Sequence, residues 1–125
     1  MASDFHAAFA TLKNMLATFT DRLNVKVDNA EEYMLVTRSA SVFPQHKGEP
    51  MFFASAKMGK AYVSFHLMPI YMCPNIAKSM SPELKKRMQG KSCFNFKSTP
   101  DEKLIDELKQ LAEKGMQEWA QKKWL

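Results

Sequence analysis

Cysteine is scarce in this chain: there are two, Cys73 and Cys93. Two are too few for a disulfide framework, and they lack the C-x-x-C spacing of a redox or zinc motif. They read as reduced, unpaired thiols that behave as small buried hydrophobes. No apolar run approaches the ~18 residues of a membrane span, so no membrane partner is expected. The opening residues, Met1 to His6, lack the basic head and apolar stretch of a signal peptide. The expected compartment is therefore the cytoplasm. Repeats, low-complexity segments and an interdomain linker are missing too. So is any complete catalytic or metal-ligating motif, which leaves no cofactor to expect and points away from catalysis by the chain itself.

What is present describes an ordinary soluble domain. The 125 residues are 46% apolar and 25% charged, and residues 1–125 fit a single domain large enough to bury a core without staples. The net charge of +5 is modest, and much of the excess sits at Lys85, Lys86, Arg87, Lys91 and Lys97. A positive surface attracts anions of any kind and bears on partners, not on fold. Ten methionines point to a soft core or to an adaptable contact surface.

Hydrophobic period sets the elements. Phe5, Phe9, Leu12, Leu16, Phe19 and Leu23 recur at steps of four and three and predict an N-terminal helix, with Ser3 as its cap and Asp4 near the positive end of its dipole. Strand signals follow at 24–27 and 33–38. The loop at 39–50 carries Pro44, Gly48 and Pro50 as breakers. Residues 51–56 and 61–68 are the clearest strands, joined by a tight turn at 57–60 in which Gly59 is expected to take positive φ. Short helices open at Cys73-Pro74 and at Ser81-Pro82-Glu83, the second stopped by Gly90. Residues 92–96 return to strand. Thr99 and Glu102 fit a capping box for a last helix that buries Leu104, Ile105, Leu108, Leu111, Ala112, Met116 and Trp119. Gly115 on that stripe signals a close approach. The expected fold is α+β: a two-layer sandwich with an antiparallel sheet of about five strands. The terminal helices lie on one face, and two short helices precede the last strand.

The run from Gly59-Lys60 through Val63-Ser64-Phe65-His66-Leu67-Met68-Pro69, the segment from Ser81-Pro82-Glu83 to Phe94-Asn95-Phe96, and the Leu/Trp-bearing last helix resemble the YdhG-like family of uncharacterised bacterial domains. That resemblance covers most of the chain. It implies a small cytosolic α+β domain of the frataxin-like fold group, with no catalytic residue set. It also implies an alternative function, frataxin-type iron binding and metal delivery. Such binding uses an acidic ridge, and here the acids nearest to one are Asp4, Asp21 and the cluster Asp28, Glu31 and Glu32, where hard cations want several converging oxygens.

Four constellations carry candidate chemistry. His66 with Cys73, Cys93, Met68 and Met72 has the donor types of a soft-metal site, against the commoner reading of a satisfied histidine on a partly buried strand. Cys93 with His66 fits a nucleophile and base, aided by Arg87 or Lys91; this is the cysteine-dependent enzyme alternative. The basic segment beside Phe94 and Phe96 fits single-stranded nucleic acid only if those rings are exposed, so nucleic acid is disfavoured. Finally, alternation puts Tyr62, Ser64, His66 and Met68 on one strand face, with Tyr71 just beyond. The leading expectation is a binding domain whose site comprises Tyr62, Ser64, His66, Tyr71, Arg87 and Lys91. It would take an anionic or amphipathic small molecule or a protein partner, as a monomer or homodimer. The competing reading buries this face under the short helices.

Overall fold

The N-terminal period folds as α1 (Ala2–Ala17) in a computed structural model that describes residues 2–40, 43–90 and 93–124. Ala8, Phe9, Leu12, Met15 and Leu16 form its buried stripe, and Phe19 and Leu23 extend that stripe through the following turns. The side chains of Ser3 and Asp4, assigned above to its cap, lie outside the described residues. Among the described residues six strands follow: β1 (Asn24–Asp28), β2 (Glu32–Ala40), β3 (Pro50–Met58), β4 (Val63–Leu67), β5 (Met88–Gln89) and β6 (Cys93–Phe96). They pair antiparallel throughout, in the order β1-β2-β3-β4-β6-β5. Between β4 and β5 run α2 (Met68–Met72), a 3-10 turn (Pro74–Ser79) and α3 (Pro82–Lys85); α4 (Glu102–Gln121) closes the chain.

Both terminal helices pack on one face of the sheet, so the expected α+β two-layer sandwich is what the chain forms. Val63, Phe65 and Leu67 of β4 point to that face with Ala54 and Ala56 of β3, and all five are 0% exposed. Burying one such large side chain contributes about 1.5–3 kcal/mol. α4 meets the sheet where Trp119 stands edge-on to Phe53, ring centroids 5.3 Å apart. Gly115 makes the anticipated close approach: a Cβ there would lie 2.6 Å from Pro69 Cβ.

Several local expectations are corrected. Gly59 does not take positive φ; its N–H donates to the Tyr62 carbonyl at 2.9 Å, and a Cβ on it would lie 3.0 Å from that oxygen. Asp101, not Thr99, caps α4, its Oδ1 accepting from the Leu104 N–H at 2.9 Å. Gly90 sits beyond β5, at φ 78°, and does not end α3. Met68 ends no strand; it begins α2, with Pro69 in the first turn, where a missing N–H costs nothing. Ser81 caps α3 as expected, its Oγ accepting from Leu84 N–H at 3.2 Å. Among the described residues, no helix is long and apolar enough to cross a membrane.

The segment between β4 and β5 decides what becomes of the sheet's second face. Ile70, Cys73, Ile76, Met80 and Leu84 are buried and join the same core as the terminal helices, and α2 packs against α4. The short helices thus extend the helical layer. They do not cover the face that carries Ser64 and His66.

Candidate functional site

A β-bulge shapes that second face. Leu35 pairs with Ala54 and Val36 with Phe52, which leaves Phe53 as an extra residue on β3. Phe53 and Ala54 therefore both turn toward the helices, while Phe52 joins Ser55 and Lys57 on the open side. The registers then lay side chains in cross-strand rows. One runs Val27, Met34, Ser55, His66, Cys93, Gln89 across all six strands; its neighbour runs Glu32, Lys57, Ser64, Asn95. Opposed residues in such rows hold their Cβ atoms about 4.5–5.5 Å apart.

Two cavities share Phe52 as a wall. One, of about 310 Å³, is lined on the open face by Glu32, Met34, Phe52, Lys57, Ser64 and His66. The other, of about 250 Å³, lies where β3 meets α2 and is lined by Phe43, Gln45, Phe52, Met68, Tyr71 and Met72. Together they form a groove with a polar end at the Glu32–Lys57 row and an apolar, thioether-rich end at α2. Phe52 stands edge-on to the His66 ring, centroids 6.4 Å apart.

Of the expected site residues, the structure brings Ser64 and His66 into one cavity and Tyr71 into the adjoining one. Tyr62 is 37% exposed in the β3–β4 turn, at the other end of β4 from Tyr71. Arg87 lies on the helical side, its guanidinium 5.9 Å above the buried Phe96 ring. Lys91 lies outside the described residues. Phe52, Met34, Glu32 and Lys57 line the groove without having been expected there.

The chemistry of the pairs follows from their surroundings. His66 and Cys93 are direct partners across β4 and β6. Burial pushes the Cys93 thiol up and the His66 imidazole down. Both directions favour the neutral forms, whereas a nucleophilic pair needs thiolate and imidazolium. Cys93 Sγ and Ser64 Oγ instead donate to Asn95 Oδ1, at 3.7 and 3.4 Å. Cys73 is buried at the end of α2, in the helical layer, so the soft-metal donors are divided between the two sides of the sheet. Asp28 pairs with Lys13 of α1 at 2.8 Å while Glu32 faces the groove. Among the described residues, no three His, Cys, Asp or Glu side chains converge as a metal site. Phe94 and Phe96 are 0% and 1% exposed, which removes them as a stacking platform for bases.

The lowered His66 value has a testable sign. As pH falls, the unfolded chain protonates this histidine near 6.5 and the folded chain only at lower pH. The unfolded state then binds more protons, so stability falls as pH drops from about 6.5 toward the folded value. An NMR titration of the imidazole should give a midpoint below 6.5, and His66→Gln should flatten this part of the stability profile. A midpoint at or above the ordinary value would contradict the assignment.

Comparison of the chain with protein-family models, with curated proteins and with solved structures finds no match.

Proposed function

We propose that this chain is a small-molecule-binding domain whose site is the groove over Phe52 and His66. The observation that carries the reading is the uncovered sheet face with two cavities sharing one aromatic wall. A concave, mostly apolar surface with a few polar groups at one end suits a guest with an apolar body and a polar head. Met34, Met68 and Met72 give the lining a soft, adaptable character. The part of the expectation that favoured an anion rested on Arg87 and Lys91; among the described residues the groove's charges are one lysine and one glutamate, so an amphipathic guest without net charge fits better. We also read the chain as a cytosolic YdhG-like domain, on the phrases around His66 and Ser81 and the two-layer layout.

The test is chemical-shift mapping with a small set of aromatic and amphipathic fragments. Perturbed amides should cluster at Met34, Phe52, Ser64, His66 and Tyr71. Phe52→Ala removes the shared wall and should weaken binding about tenfold or more, the equivalent of about 1.4 kcal/mol. Shifts scattered over the helical side, or none, would overturn the reading.

A further inference from the structure

Glu32 and Lys57 are direct partners across β2 and β3, and both line the cavity that holds Ser64 and His66. Among the described residues, neither enters an ion pair. A carboxylate and an ammonium thus stand side by side at the polar end of the groove, each with hydrogen-bonding capacity to spare. An exposed pair of this kind gains little by closing on itself. A guest that brings the opposite charge to each gains two charge-assisted hydrogen bonds. Ser64, next in the same row, adds a hydroxyl. The apolar remainder of the guest then runs toward Met34 and Phe52.

We propose that the Glu32–Lys57 end of the groove holds the head of a zwitterion, an ammonium and a carboxylate on one apolar body, as in an apolar amino acid. The proposal rests on the groove reading above and names its ligand class. Glu32 accepts from the ammonium, Lys57 donates to the carboxylate, and the side chain of the guest lies against Phe52. A simple anion or cation satisfies one protein charge and leaves the other facing a charge of its own sign or none.

The experiment uses four probes with the same phenyl-bearing body: L-phenylalanine, phenylpropionate, phenethylamine and phenethyl alcohol. Each is titrated into the full chain and followed by NMR. L-phenylalanine should bind roughly tenfold tighter than either singly charged probe, the scale of one charge-assisted hydrogen bond, and shift Glu32, Lys57 and Ser64 amides along with Phe52. Glu32→Gln should erase the preference over phenylpropionate, and Lys57→Gln the preference over phenethylamine. The swapped double variant, Glu32→Lys with Lys57→Glu, should restore both, because a zwitterion can turn around. Equal binding of all four probes overturns the zwitterion and leaves the groove standing. A preference for one singly charged probe, or a swap that does not restore, overturns it too. Absence of shifts at Phe52 and His66 with every probe overturns both readings.

Discussion

Trp119→Ala should lower the unfolding free energy by about 3–5 kcal/mol, the cost of emptying a fully enclosed aromatic site. Trp119 is 0% exposed and links three parts of the molecule. Its ring stands edge-on to Phe53 of the sheet, and Trp124, 5.8 Å away, passes the contact on to Phe43. Trp119→Phe should cost far less than a loss of ring size alone would predict. Among the described residues, the Trp119 indole Nε1 is buried without a hydrogen-bond partner, and an orphaned buried donor carries a penalty of about 1–3 kcal/mol. Phenylalanine removes that penalty along with the second ring. Urea unfolding followed by circular dichroism checks both, since fluorescence changes when the reporter itself is replaced. A Trp119→Ala loss below about 1 kcal/mol would show that this is not the centre of the core.

Gly115→Ala should destabilise the fold although alanine is the better helix former. In an exposed helix the change gains about 1 kcal/mol. Here the new methyl would meet Pro69 Cβ at 2.6 Å and Cγ at 2.7 Å, and a pyrrolidine ring cannot swing away. Pro69 is fixed at the start of α2, where its carbonyl accepts from the Cys73 N–H at 2.7 Å. Helix α2 or α4 must shift, and overpacking of this kind costs about 1–3 kcal/mol. Gly115→Val should cost more. If the clash is the cause, Pro69→Gly combined with Gly115→Ala should lose less than the two single changes together. A stabilised Gly115→Ala would mean that the helices separate freely at this contact.

Long periods were legible in the sequence and short elements were not. The stripes of α1 and α4 persist over several turns, so spacing alone located them. The strand of Val63, Phe65 and Leu67 alternates cleanly, and this put Ser64 and His66 on one face correctly. α2 spans five residues around Pro69, too few for a period to show. β5 has two residues and exists only through its pairing with β6. Thr99 and Asp101 are both good cap residues two positions apart, and only the folded chain's geometry, with Asp101 Oδ1 on the Leu104 N–H, selects Asp101. Phe52 escaped because strict alternation cannot run through a bulge. Whether the short helices cover the His66 face or extend the other layer is a tertiary question that no local pattern answers.

The bulge at Phe53 also ties together two properties that usually vary independently. It acts as a phase shift along β3: residues before it and residues after it obey opposite parities. The adjacent rings Phe52 and Phe53 are sent to opposite sides of one strand, one to the groove and one to Trp119. Removing a single residue there would restore regular alternation and force a choice between the two rings. Either the helical layer would lose its aromatic contact or the groove would lose its wall. Length changes at this point therefore alter stability and recognition in one step, whereas a substitution at Phe52 alone can retune the groove and leave the packing under α4 as it is.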